Sequence, residues 1–192
     1  MRISGGTARG VVLSVPKGDA VRPATDGMRQ AVFSSLATCV PGSRFLDLFA
    51  GSGAYGLEAL SRGASAGIFV EKNAKAADCL KRNLMAVCRS MGREPGQVKV
   101  LQGDALEWTL GAVDFVPDLV FIDPPYDMIP EVGPKLFERL KQFCVGKGDP
   151  IVVFEMPGEM TLAPTGWTCL KRLGGGVRQP TVAFFRANRD SI

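Results

Sequence analysis

The chain has 192 residues, 46% hydrophobic and 22% charged, which fits one globular domain with a sizeable core and a small appendage. No apolar run is long enough to span a membrane, the opening Met1-Arg2-Ile3-Ser4-Gly5-Gly6 lacks the apolar stretch of a secretory signal, and neither histidine nor a Cys-x-x-Cys pair is present; a cytoplasmic protein with no metal site and no histidine-activated nucleophile is expected. The net charge of +4 divides into +3 over residues 1–30, −3 over 31–164 and +4 over 165–192, basic ends around an acidic body that suggest a polyanionic partner.

In chain order, Arg2-Ile3-Ser4 and Val11-Val12-Leu13-Ser14-Val15 predict a short hairpin around a Gly-rich bend. Pro16-Lys17-Gly18-Asp19 is a turn, and Thr25 or Asp26 caps a helix with Met28, Ala31, Val32 and Leu36 on one face. Strands follow at 44–49 and 66–71, with a Gly-rich turn and a helix through Leu57, Ala59 and Leu60 between them. A helix over about 74–91 carries Ala77, Leu80, Leu84 and Val87 in helical register. Strands at 98–101 and 118–122, a helix over about 131–143 and a strand at 150–155 come next. Thr168 to Arg186 reads as two strands around Gly174-Gly175-Gly176. The five cysteines (Cys39, Cys79, Cys88, Cys144, Cys169) read as reduced, small core residues. Strands alternating with helices predict an α/β, mostly parallel sheet covered on both faces and finishing in an antiparallel hairpin. Residues 1–20 are expected to be a basic β-hairpin extension, and 21–192 the α/β domain.

Gly51-Ser52-Gly53-Ala54-Tyr55-Gly56 follows a strand and opens a helix, as in dinucleotide-type cofactor loops. Glu71, about 20 residues on at the end of the second strand, is placed to accept hydrogen bonds from two ribose hydroxyls. These features suit a nicotinamide enzyme as well as an adenosylmethionine enzyme. Asp47, inside the strand before the loop, favours a cofactor carrying an ammonium and a sulfonium over a pyrophosphate, because like charges repel. Asp104, with Ala105 beside it after the third strand, is placed to accept from an adenine amino group.

Asp123-Pro124-Pro125-Tyr126 closes the fourth strand. Methylating an exocyclic base amine requires its delocalised lone pair to be aimed at the methyl group and positive charge to be stabilised on nitrogen. An Asp carboxylate and a backbone carbonyl each accept one amino hydrogen, and paired prolines stiffen the loop so that the Pro124 carbonyl points inward. Tyr126 offers a flat face to an extruded or unpaired base. No strong base is needed, since the nitrogen turns acidic once methylated. These residues point to S-adenosyl-L-methionine-dependent methylation of an adenine, cytosine or guanine amino group, with S-adenosyl-L-homocysteine as product.

Arg22-Pro23-Ala24-Thr25-Asp26-Gly27-Met28-Arg29, Leu46 to Ala54, Gly56 to Ala64, Asn83-Leu84, Asp123 to Tyr126 and the opening Ile3-Ser4-Gly5-Gly6 with Arg9-Gly10 together resemble the bacterial 16S ribosomal RNA guanine-N2 methyltransferases of the RsmD type. The resemblance covers nearly the whole chain. It implies a Rossmann-like class I methyltransferase fold with a seven-stranded sheet, adenosylmethionine as cofactor, and a guanine of 16S ribosomal RNA in an assembling small subunit as target. By position, Asp123, Pro124 and Tyr126 would form the base site, and Gly51, Gly53, Glu71 and Asp104 would hold cofactor. Where the family has Thr, Arg and Glu, this chain has Ala24, Gly27 and Gln30. Arg2, Arg9, Arg22 and Arg29 are expected to contact RNA phosphates, and a monomer is expected. The alternatives are a DNA adenine-N6 or cytosine-N4 methyltransferase, and an inactive RNA-binding assembly factor.

Overall fold

Runs rich in Val, Ile, Leu and Phe become the strands, because such side chains fit a pleated sheet that is buried on both faces. The computed structural model describes residues 1–15, 26–107, 115–144, 148–177 and 179–188. In chain order it contains α1 (Asp26–Ser35), β1 (Arg44–Leu48), α2 (Ala54–Ser61), β2 (Ala66–Glu71), α3 (Ala74–Ser90), β3 (Val98–Gln102), β4 (Leu119–Ile122), α4 (Ile129–Cys144), β5 (Ile151–Pro157), β6 (Trp167–Leu173) and β7 (Pro180–Ala187). A short 3₁₀ turn, Tyr126–Met128, leads from β4 toward α4. The seven strands form one sheet in the order β3-β2-β1-β4-β5-β7-β6. The first five are mutually parallel, and β7 runs antiparallel between β5 and β6. The parallel sheet and its C-terminal antiparallel hairpin are therefore as expected. Strand order reverses between β1 and β4, and in open α/β sheets the crevice outside the carboxyl ends at such a point takes the ligand.

Alternate residues of each strand feed two cores. Phe45, Phe69, Phe121 and Val153 pack with Val32, Phe33, Leu57 and Leu80 of α1, α2 and α3. Leu46, Ile68, Val120 and Phe154 pack on the opposite face with Leu136, Phe137 and Leu140 of α4. α2 settles very close to the sheet because Gly56 has no side chain: a Cβ there would lie 2.3 Å from the Phe69 ring and 2.6 Å from that of Phe45. Two expectations fail locally. Ala31 is exposed, its place on the buried face of α1 taken by Arg29 with Val32 and Phe33. Cys79 and Cys88 are buried on α3, but Cys39 and Cys169 are exposed rather than in the core. Among the described residues no helix is long and apolar enough to cross a membrane.

The N-terminal residues double back with a single bridge between Arg2 and Val12, supported by the Ile3 N–H donating to Val11 (2.9 Å) and the Leu13 N–H to Met1 (3.0 Å). Ile3, Ala8 and Leu13 lie in the α1–α3 core. Ser4 donates to Glu58 through its backbone N–H (2.8 Å) and its hydroxyl (2.7 Å), and Ser61 accepts from the N–H groups of Thr7 and Ala8. Arg29 completes this knot. It is fully buried, with Nε 3.3 Å from Glu58, one terminal nitrogen 2.8 Å from Asp26, and a further bond to the carbonyl of Arg2. The expectation that Arg29 contacts RNA is therefore corrected: a guanidinium sealed under the hairpin and neutralised by two carboxylates offers nothing to a phosphate. It joins the hairpin, α1 and α2 instead.

Removing one member of a buried ion pair leaves the other uncompensated, which is far costlier than losing a surface contact. Arg29→Met should lower unfolding free energy by about 3 kcal/mol in urea titrations, whereas Arg9→Gln, at an exposed position, should leave the midpoint unchanged.

Candidate active site

β1 ends in a sharp turn made possible by unusual backbone angles. Phe49 has φ 60°, the only positive φ at a non-glycine among the described residues, and Gly51 and Gly53 follow at 53° and 87°. An aromatic residue held there is strained, and strain of this kind concentrates where a ligand must be cradled. A Cβ on Gly53 would come within 2.2 Å of Leu80, so only glycine lets the loop lie this close to α3. Asn83 of α3 pins the loop from beneath, its amide donating to the carbonyls of Ser52 and Ser14 at 2.9 Å each. Sequence reasoning noted Asn83 only as part of a family pattern. Its burial and these hydrogen bonds, with one more accepted from the Ser14 N–H, show that it ties the glycine loop to the hairpin.

Five neighbouring parallel strands each carry one carboxylate at this edge. In sheet order they are Asp104 after β3, Glu71 ending β2, Asp47 in β1, Asp123 after β4, and Glu155 in β5. Glu71 accepts from the Gly51 N–H and the Asn73 N–H, both at 2.7 Å, leaving further lone pairs on each oxygen. Asp104 accepts from the Leu106 N–H (2.8 Å) and pairs with Lys72 (2.9 Å), which together hold its carboxyl below the usual range. The expected adenine acceptor is thus engaged by a lysine whose side chain is 78% exposed and free to swing aside. Ala105 beside it is buried in the α4-side core.

The three inner carboxylates are in a different state. Asp47 is buried and accepts only from the Gly56 N–H (2.9 Å); burial, aided by nearby Glu71, pushes its carboxyl up to about 7. Asp123 is half-buried and has no cationic partner among the described residues. Burial and the charges of Glu155 and Asp47 push it well above the carboxylate range. Glu155, 2% exposed, is also raised by burial, although it accepts from the Tyr55 hydroxyl at 2.7 Å and interacts with the Tyr126 hydroxyl. Tyr55 itself is stacked on Phe121, with ring centroids 5.5 Å apart. Pro124 is buried, while Tyr126 is 40% exposed at the mouth. Glu155 was not singled out from sequence. The signal was present, since a lone acid inside the apolar run Ile151–Met156 of a buried strand is costly without a purpose.

The predicted residues therefore divide into groups. Asp47, Gly51, Gly53, Glu71, Asp104, Asp123, Pro124 and Tyr126 gather at the carboxyl edge of the sheet. Arg2 and Arg9 are exposed on the hairpin, Arg29 is buried, and Arg22 lies outside the described residues. A sheet edge with five carboxylates beside a glycine loop, and among the described residues only the exposed Lys72 salt-bridged to them, fits a cationic nucleoside cofactor.

A family model described as conserved hypothetical protein 95 matches residues 1–181. The chain is 36% identical over 126 residues to ribosomal RNA small subunit methyltransferase D of Escherichia coli K12, covering 66% of this chain and 60% of that protein, so the match spans less than two thirds of that relative. The Haemophilus influenzae protein of the same name is 32% identical over 181 residues, 92% of this chain and 90% of that one. Among solved structures, a hypothetical protein of Thermus thermophilus superposes with a TM-score of 0.73 at 32% identity, covering 96% and 98% of the two chains. An RNA methyltransferase of Salinibacter ruber in complex with S-adenosyl-L-homocysteine has the same fold, with a TM-score of 0.62 at 17% identity and coverage of 87% and 94%. The relatives are those of the RsmD type that the sequence motifs resemble.

Asp47 binds its proton more tightly folded than unfolded, so between pH 3.8 and about 7 its ionisation costs the native state more as pH rises. Asp47→Asn, which keeps an acceptor for the Gly56 N–H, should melt higher than the parent at pH 8. That advantage should shrink toward pH 5, and calorimetry should find much weaker binding of S-adenosylmethionine.

Proposed function

The chain belongs to the conserved hypothetical protein 95 family, and on that footing we propose that it is an S-adenosylmethionine-dependent methyltransferase acting on the N2 amino group of a guanine in 16S ribosomal RNA of an assembling small subunit. The observation that carries this reading is the row of inner carboxylates, Asp47, Asp123 and Glu155, on adjacent strands, each raised by burial and Asp123 also by the charges of the other two, with no lysine or arginine salt-bridged to them among the described residues. Such a row favours ligands that bring or develop positive charge.

The cofactor would be held by Gly51 and Gly53 beneath it, Glu71 at its ribose hydroxyls, Asp104 at its adenine and Asp47 near its ammonium; when bound it supplies an electrophilic methyl group on sulfur. The chain's own residues do the rest. Asp123 and the Pro124 carbonyl each accept one hydrogen of the target amine, turning its lone pair toward the methyl group. Tyr126 presents its ring to the base. Glu155, anchored by Tyr55, holds the Tyr126 hydroxyl and places a second carboxylate behind Asp123. Charge that builds on nitrogen meets acceptors already in position, so little reorganisation is required. The surplus proton leaves the methylated nitrogen for this carboxylate pair or for water.

Purified chain, labelled adenosylmethionine and small subunits from cells lacking the gene should give label on guanine N2 of 16S RNA. Label on naked DNA with none on subunits would sink the RNA reading. Asp123→Ala should lose at least about 100-fold in turnover while still binding cofactor. Glu155→Gln keeps an acceptor for Tyr55 but removes one of the charges that raise Asp123, so the acid limb of the kcat/KM profile should move to lower pH.

A further inference from the structure

α3 has a strongly two-sided character. Ala77, Leu80, Asn83, Leu84, Val87 and Cys88 are buried against the sheet, while Lys75, Lys81, Arg82, Met85 and Arg89 face solvent. Asp78 is the one acid on the helix, and it is engaged by Lys81 at 3.3 Å. Lys75, Arg82 and Arg89 have no acidic partner among the described residues. They recur every seven residues, nearly two full turns, so they line one edge of the helix at steps of about 10.5 Å and span about 21 Å. Lys81, Arg82, Met85, Ala86 and Arg89 also border an open groove of about 360 Å³.

We infer that this outward face of α3 is a docking surface for the phosphate backbone of structured RNA, with Lys75, Arg82 and Arg89 as its contacts; the inference rests on the RNA reading above and extends it to a surface away from the reacting groups. Three further observations support it. Helix stability does not account for Lys75, because a cation in the first turn opposes the helix dipole. The stripe begins where α3 leaves Glu71 and Asn73, at the ligand edge of the sheet, so a strand with one base in the site can continue along it. The hairpin bearing exposed Arg2 and Arg9 is fastened to the same helix through Ser14, Asn83 and Cys79, which adds two cations to a segment bound to α3. Cations repeated at regular spacing and without acidic partners among the described residues suit a polyanion, whose phosphates repeat along a backbone.

The test is the triple variant Lys75→Gln, Arg82→Gln, Arg89→Gln, titrated with a 16S RNA fragment over a range of salt. Expected are unchanged melting temperature and adenosylmethionine binding, about tenfold weaker RNA binding at physiological salt, and a plot of log K against log salt shallower by about two to three. Unchanged affinity and slope would overturn the inference. So would normal binding of naked RNA combined with lost methylation of subunits, which would assign this face to a ribosomal protein. If the parent chain itself ignored RNA in the same titration, the functional reading would fall and this inference with it.

Discussion

Like charges confined to one sheet edge govern this structure. Parallel strands all end on the same side, so any acid at a strand's carboxyl end joins a row, and here five adjacent strands contribute one each. The row is not uniform. The outer acids are satisfied, Asp104 by Lys72 and the Leu106 N–H, Glu71 by the N–H groups of Gly51 and Asn73. The inner three have no salt-bridged cation among the described residues, and burial raises the carboxyl of each, that of Asp47 to about 7. A fold selected for stability alone would place a lysine or an apolar residue among them. A ligand that brings positive charge would relieve the cost of burying these acids, so affinity for such a ligand and instability of the empty site would have one physical origin.

A single short helix transmits this arrangement to the rest of the molecule. Within α2, Tyr55 reaches Glu155, the Gly56 N–H reaches Asp47, Glu58 gathers Ser4, Arg29 and Arg62, and Ser61 holds the backbone of the hairpin. The first turn serves the carboxylates and the second secures the N-terminal segment. The two tasks are compatible because α2 is buried almost throughout and Gly56 lets it approach the sheet at ring-contact distance. A shift of α2 would therefore move two carboxylates and the hairpin together.

Much of this was readable from the chain. The strand pattern, the glycine loop and the Asp-Pro-Pro-Tyr turn are local signals, written in a few consecutive residues, and the sheet follows from their alternation. What escaped depends on distant partners. Arg29 reads as a surface cation, since its burial is set by Glu58, 29 residues away, and by a hairpin that covers both. Glu155 closes the strand expected at 150–155, where a charged residue passes for a terminus, whereas β5 continues to Pro157; its role appears only once Tyr55, 100 residues earlier, is found donating to it. The stripe on α3 vanished in regional averaging: residues 31–164 hold 13 basic and 16 acidic side chains, and the cations of one helix face are lost in that total.

That averaging hides a separation of charge with a consequence for substrate placement. The carboxylate edge attracts a cation and repels phosphate, so an RNA strand lying across it would be held off by the same field that favours the cofactor. At physiological ionic strength such fields decay over about 8 Å. On the proposed function, cations facing solvent along α3 and on the hairpin would hold the backbone to one side of this edge and leave an uncharged base to enter. A base amine suits such an edge, because it would gain positive charge as it reacts. On the proposed function, the division between an acidic sheet edge and a basic helix face would favour an extruded base over a bound backbone by charge alone.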